Sequence, residues 1–226
     1  MVGDSGDNTG GMGSYSCADH SLPFLLPHHV REASAINAAV ASALLKETGQ
    51  KYKGILYGGF MAGPKGIHLL EYNARFGDPE TMNVLSIMET DLVDICEAII
   101  EEKLDALPIT FQKRATVCKY VVPEGYPDNP IKGARIDLGN APKESSTFRI
   151  YKAAVEDRDG EIYMTGSRAI ACVGIGETLA QAEQVAERGA SSINGPVFHR
   201  KDIGTQPLIQ KRIEQMESLA MVKQVE

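Results

Sequence analysis

The sequence predicts a mixed fold in which strands alternate with helices, and three observations predict it. One stretch is rich in alanine, and another repeats its apolar residues at helical spacing. Two pairs of strand-like runs are joined by short segments rich in Gly, Pro and Asp. The composition, 43% hydrophobic and 23% charged over 226 residues, is that of a globular chain able to bury a core.

Residues 3–16 form a polar, glycine-rich loop, unusually specialised for the start of a domain. A helix is expected over 29–48, ended by Gly49. Strands over Gly54–Met61 and Ile67–Asn73 should form a hairpin across the five residues Ala62–Gly66. After a polar loop at 75–83, a helix should run from about Ser86 to Leu104, with Ile87, Leu92, Ile95 and Ile99 at helical spacing. The texture changes beyond Leu107-Pro108, and a domain boundary is placed near residue 113. Residues 115–122 read as a strand before the turn-rich Pro123–Pro130. Residues 148–155 and 161–164 should pair as a hairpin across Asp157–Gly160, and 168–174 add a further strand. Thr178, with Gln181 three residues on, opens a helix with a capping-box pattern, and a last helix occupies about 206–221.

The net charge is -7, from 23 basic and 30 acidic residues, so the footprint of a duplex-binding protein is missing and no nucleic-acid partner is expected. No apolar run approaches a membrane span, and the first seven residues lack the basic and apolar parts of a signal peptide. Cys17, Cys96, Cys118 and Cys172 are scattered, with no CxxC pair, which reads as reduced thiols in a cytoplasmic protein.

Three segments carry chemistry. In Leu69–Thr81, Glu71 and Asn73 lie two apart on a predicted strand and so share a face. They are either a pair of hard oxygen ligands of the kind magnesium takes, or two solvent-facing polar residues on a half-buried strand. Arg75, Asp78 and Glu80 follow at once, with glycine and proline between them, and that density of charge at a strand end favours a site. Arg75 can fork onto a carboxylate or phosphate, or pair on the surface with Asp78 or Glu80. Asp78 and Glu80 are candidate metal or amine ligands, or Asp78-Pro79 simply begins a turn.

The second segment is Asp7-Asn8-Thr9-Gly10-Gly11-Met12-Gly13. Its glycines let backbone N–H groups converge on an anion, and Asp7 can meet an ammonium group; the alternative is a tight or flexible surface loop. It lacks the Gly-Lys-Ser/Thr ending of a Walker loop. The third, Phe198–Gly204, is either a basic phosphate-facing loop or a solvated turn. His20, His28, His29, His68 and His199 show no metal-ligand spacing, and no G-x-S-x-G elbow supports serine hydrolysis.

Taken together, Asn8–Gly13, Glu71-x-Asn73-x-Arg75-Phe76-Gly77-Asp78-Pro79-Glu80 and Phe198-x-Arg200-Lys201-Asp202-Ile203-Gly204 resemble, in this order, the phosphoribosylamine–glycine ligase family of the ATP-grasp superfamily. The Arg-Phe-Gly-Asp-Pro-Glu run is the most specific part. The resemblance implies an α+β fold: residues 1–112 as the C-terminal part of an ATP-grasp catalytic domain with an antiparallel sheet, and 113–226 as a small mixed C-terminal domain. It implies ATP-dependent joining of glycine to 5-phosphoribosylamine through a glycyl phosphate, in de novo purine synthesis. It implies Mg2+ or Mn2+ at Glu71 and Asn73, a catalytic Arg75, and substrate or phosphate contacts from Asp7, Asn8, Thr9, Gly10, Gly11, Gly13, Asp78 and Glu80.

The sequence departs from the family twice. Cys17 stands where proline commonly follows Tyr-Ser. The family's phosphoribosylamine-binding domain and its nucleotide-binding lysine fall ahead of residue 1, and Lys46, Lys51 and Lys53 are wrongly placed to replace that lysine. Two expectations follow. Either the chain works with a separately supplied N-terminal half, or it is a non-catalytic relative acting as a binding module. The intact Glu71, Asn73 and Arg75 favour the first.

Overall fold

The computed structural model describes residues 10–222, which contain helices and antiparallel sheets, an α+β fold. They divide into two compact units. One comprises residues 10–22, 78–87 and 112–209; the other comprises 23–77, 88–111 and 210–222.

The first unit is built on a five-stranded antiparallel sheet: β1 (Gly13–Ser16), β4 (Ala115–Pro123), β6 (Phe148–Lys152), β9 (Ile170–Gly176) and β10 (Val197–His199). The order is β1-β4-β9-β6, and β10 joins β4 farther along, opposite Val121–Pro123. Every residue of β4 and of β9 is buried. Apolar side chains therefore occur without alternation along both strands, because both sheet faces are covered.

The two faces of β4 hold different elements. Thr116, Cys118 and Tyr120 point one way, and Thr116 Oγ1 accepts from Asn83 Nδ2 at 3.0 Å on α2 (Glu80–Ile87). Val117, Lys119 and Val121 point the other way, toward α4 (Leu179–Ser191). Helix α4 presents Ala182, Ala186, Gly189 and Ala190 to the core, a stripe of small residues at helical spacing that lets it lie close to the sheet. Thr178 caps it, Oγ1 accepting from Gln181 N–H at 3.3 Å, while Gln181 Oε1 accepts from Glu177 N–H at 3.0 Å. A smaller sheet, β5-β8-β7, adds Arg135–Ile136, Glu161–Met164 and Val155–Arg158, and its Ile136, Ile162 and Met164 complete the core with Phe148, Ile170 and Ile193.

In the second unit, α1 (Pro27–Thr48) packs on a hairpin of β2 (Tyr57–Gly63) and β3 (Gly66–Asn73). Pro27 opens α1, His29 Nδ1 accepts from Leu26 N–H at 3.1 Å, and Gly49 closes it with a left-handed φ of 71°. Helix α3 (Leu92–Ile100) is capped by Asp91, whose Oδ1 accepts from Val93 N–H at 2.7 Å. Helix α5 spans Gln206–Val222.

Three expectations need correction. The helix predicted from Ser86 to Leu104 is two helices, α2 and α3, and α2 takes up the end of the polar loop predicted at 75–83. Between them Met88 bridges Phe111 and Glu89 N–H donates to Thr110 O at 3.0 Å, and this ladder pairing removes the backbone from a helix. The hairpin loop predicted at Ala62–Gly66 shortens to Pro64-Lys65, because Gly63 and Gly66 pair directly. The run predicted at 148–155 splits: β6 pairs β9 in the main sheet, and only β7 forms the hairpin with β8. Asp159 and Gly160, at φ 54° and 85°, supply its primed turn.

Lys119 is fully buried in β4. Its ammonium donates to Glu183 Oε1 and Glu187 Oε2, each at 2.6 Å, and to Lys201 O at 2.8 Å. Burial alone would push the Glu187 carboxyl up. Hydrogen bonds from Lys119, His199 and Ser191 outweigh it and hold the pKa near 2, against a usual 4.5. A carboxyl lowered in the fold stabilises it above the unfolded pKa and loses that contribution as pH falls toward the folded value. Urea denaturation should therefore show stability falling between pH 4.5 and about 2, and Glu187→Gln should flatten the fall. Lys119→Met at pH 7 should cost roughly 3 kcal/mol, because two carboxylates lose their counter-charge. An unchanged urea midpoint would show that the ammonium is not what holds α4.

Candidate active site

The predicted site residues fall into both units, and each group is described within its own. In the second unit, β3 places Glu71 and Asn73 on one face, with Asn73 Nδ2 3.2 Å from Glu71 Oε1. Tyr72 points the opposite way and donates from Oη to Asn37 Oδ1 of α1 at 2.6 Å. Helix packing thus uses the face with Tyr72 and leaves Glu71 exposed. Gly59 stands opposite Glu71 on β2, so no side chain crowds the carboxylate from across the hairpin. Beyond the strand, the exposed Arg75 donates from Nη1 to Phe76 O at 2.7 Å.

The Glu71–Asn73 pair fits a divalent cation of the hard kind. It offers a carboxylate and, once the amide turns, a carbonyl oxygen. Magnesium commonly takes one or two oxygens from protein and the rest from phosphate and water. Among the described residues no group of three His, Cys, Asp or Glu could hold a metal.

In the first unit, Gly10–Met12 is a short turn that runs into β1. Asp7, Asn8 and Thr9 lie outside the described residues. The described part of the glycine segment is packed: Met12 is fully buried. A Cβ on Gly13 would sit 2.3 Å from the Cys118 carbonyl oxygen, because β1 runs hard against β4. A Cβ on Gly11 would sit 2.8 Å from Arg168 Nη1.

Asp78 and Glu80 flank the start of α2, with Glu80 as its first residue, where a carboxylate is favoured by the helix dipole. Both oxygens of the Asp78 carboxylate have partners inside the protein. Oδ1 accepts from Tyr120 Oη at 2.9 Å, and Oδ2 accepts from Arg168 Nη2 at 2.8 Å. Arg168 Nη1 also donates to Gly11 O at 3.2 Å and to Asp78 O at 3.3 Å, and its guanidinium lies 5.1 Å from the centre of the Tyr120 ring. Burial pushes the Tyr120 phenol far above its usual range, with the Asp78 charge adding to the effect, so it remains a donor.

Neither Arg168 nor Tyr120 stands out in the sequence. Arg168 has one weak signal, a cation immediately before an apolar run; Tyr120 has none. The basic segment Phe198–Gly204 leads into a turn with Lys201 exposed. Arg200 is buried and forks onto Asp202, with Nε to Oδ1 at 3.0 Å and Nη2 to Oδ2 at 2.7 Å. Ile203 is buried too, and Lys201 gives its carbonyl to Lys119. The thiols of Cys118 and Cys172 are buried, which pushes Cys172 to about 12 and leaves both unreactive. Among the described residues no helix is long and apolar enough to cross a membrane.

Two family models match the chain: the phosphoribosylglycinamide synthetase ATP-grasp (A) domain over residues 1–81, and the C domain of the same enzyme over 116–206. The chain is 49% identical over 219 residues to a phosphoribosylamine–glycine ligase of Methanocaldococcus jannaschii, covering 97% of this chain and 49% of that one. It is 50% identical over 220 residues to one from Methanosarcina barkeri, with 96% and 49% covered. The chain thus spans about half the length of the curated relatives it matches. The crystal structure of the Thermotoga maritima phosphoribosylamine–glycine ligase aligns with a TM-score of 0.74 at 30% identity, over 89% of this chain and 48% of that one. A biotin carboxylase domain from Hydrogenobacter thermophilus shares the fold alone, with a TM-score of 0.56 at 16% identity, over 91% of this chain and 42% of that one.

Gly13→Ala drives a methyl into a backbone oxygen that cannot move without breaking β1–β4 pairing. It should cost roughly 2 kcal/mol in thermal unfolding of the isolated chain. An unchanged melting temperature would mean that β1 does not pair with β4 in this register.

Proposed function

The chain belongs to the phosphoribosylamine–glycine ligase family, and from that premise we propose that it supplies the metal- and phosphate-facing part of an ATP-dependent ligase joining glycine to 5-phosphoribosylamine. The observation that carries this reading is the Glu71–Asn73 pair on the open face of β3, followed directly by Arg75. The reading also requires a counterpart to the other half of the relatives, either as a separate N-terminal ligase half or in a longer form of this chain.

A carboxylate is a poor electrophile until one of its oxygens becomes a leaving group. In the proposed reaction the γ-phosphoryl group of ATP passes to a carboxylate oxygen of glycine, giving glycyl phosphate and ADP. The amine of 5-phosphoribosylamine attacks the carbonyl carbon, the bond to the phosphate oxygen breaks, and the nitrogen loses a proton. Glycinamide ribonucleotide and phosphate result, a step of purine (IMP) synthesis. Bound Mg2+ or Mn2+ would neutralise charge on the phosphates. Glu71 would hold it by its carboxylate and Asn73 by its amide oxygen. Arg75 uses one donor on Phe76 O, and its others are available for the charge of the acyl phosphate. Glu80 and the glycine segment (Asp7, Asn8, Thr9, Gly10, Gly11 and Gly13) are assigned to glycine and phosphate binding. Asp78 contributes there by anchoring, since its carboxylate already has two protein partners. The work is positioning and electrostatics, so no general base is assigned.

Ligase activity should be measured with ATP, magnesium, glycine and fresh 5-phosphoribosylamine, with and without a separately expressed N-terminal half of a relative. Activity with both halves and not with either alone is expected. No activity from two demonstrably folded halves would overturn the proposal and leave a family member that binds without catalysing. In the active pair, Glu71→Gln and Asn73→Ala should each cut turnover by roughly a hundredfold. Each should move stability by less than about 0.5 kcal/mol, because both lie on an open strand face. Unfolding of Glu71→Gln would make Glu71 a structural residue.

A further inference from the structure

We propose that Arg168 is a positioning residue that fastens the glycine turn to the Asp78-Pro79-Glu80 segment, acting through Asp78 and the Gly11 carbonyl without touching substrate. The proposal rests on the ligase reading above for its consequence in turnover, though not for its structural content.

The geometry is that of a single fork serving two segments distant in the chain. Nη2 takes Asp78 Oδ2 at 2.8 Å, and Nη1 is shared between Gly11 O at 3.2 Å and Asp78 O at 3.3 Å. The Tyr120 ring supports the guanidinium at 5.1 Å, and its hydroxyl completes the coordination of Asp78 through Oδ1. The acceptors of Asp78, two carboxylate oxygens and one carbonyl, are thereby all turned toward the protein. Gly11 leaves room for the fork, since a Cβ would lie 2.8 Å from Nη1.

Stability alone does not account for the arrangement. The side chains of Arg168 and Asp78 are 27% and 39% exposed, and a pair so open to water contributes little to stability. What a planar guanidinium adds is direction: one rigid group satisfies three acceptors at fixed angles, which a lysine ammonium on a flexible stem does not reproduce. The two segments it joins both lie within residues 1–81, matched by the ATP-grasp model, whereas Arg168 lies within 116–206, matched by the C-domain model. A residue of the C-domain region thus sets the spacing of two candidate substrate-binding segments of the other.

The test is hydrogen exchange by mass spectrometry on the full chain, with Arg168→Met and Arg168→Lys. Both variants should raise exchange in peptides covering 10–16 and 78–83 by roughly tenfold, while β9 and α4 stay protected. In the two-half assay Arg168→Met should lower kcat by tenfold to a hundredfold, on the order expected for misplaced binding groups, with KM for ATP within about twofold. Asp78→Asn should cost clearly less turnover when added to Arg168→Met than it costs alone, and an equal cost would overturn the coupling. Unchanged exchange in 10–16 would overturn the proposal, as would loss of protection across β9 and α4, which would mark Arg168 as a general structural residue. If the unmodified pair of halves is inactive, the ligase reading fails, and the exchange result still decides the fastening.

Discussion

The first unit depends on keeping β4 covered on both faces while it carries a charge. Lys119 stands in the middle of that strand with no exposed surface. An ammonium in such a place is tolerable only when its donors are met, and the three that meet it come from two elements, α4 and the segment after β10. The charge therefore does what an apolar side chain could not. It fixes where α4 lies along the sheet and brings the 199–204 segment onto the same face. Glu187 transmits the constraint outward, accepting also from His199 and Ser191. With α4 held in this way, the alternate residues of β4 are set facing away from it, and Tyr120 is one of them.

A division of labour between the two faces follows from strand geometry. Val117, Lys119 and Val121 take the structural face, with α4, while Thr116, Cys118 and Tyr120 look onto α2 and Asp78. The polar contacts differ in kind as well. On the structural face a fully buried ammonium is closed off by carboxylates on the next helix. On the other, the Asp78–Arg168 pair is half open to water and Asn83 reaches both Ser14 and Thr116.

Legibility in the sequence tracked the range of the interaction. Glu71 and Asn73 were readable because their juxtaposition is a local fact: two residues apart on a strand means one face. The capping of α4 by Thr178 was readable for the same reason, as was the end of α1 at Gly49. Asp78 showed as a charge at a turn, but not its partners, because Tyr120 and Arg168 arrive from far along the chain. The Phe198–Gly204 segment left two readings open, a phosphate-facing loop or a solvated turn, and neither anticipated that Arg200 pairs with Asp202 two residues on while Ile203 is buried. The break between α2 and α3 was hidden by apolar spacing that continues through it, although Asp91 before Leu92 was the local signal of a new start.

These long-range contacts bear on why the region matched by the C-domain model accompanies the candidate binding segments at all. A sequence motif such as Glu-x-Asn-x-Arg carries its own geometry, because a strand supplies it. A glycine turn does not. Backbone N–H groups converge on a ligand only if something outside the turn prevents it from relaxing, and glycines make relaxation easy. For Gly10–Gly13 that restraint comes from β4, which abuts Gly13, and from Arg168, which holds the Gly11 carbonyl. Both belong to the later part of the chain. The more a binding loop relies on glycine for close approach, the more it needs rigid neighbours, and here the two-faced sheet provides them.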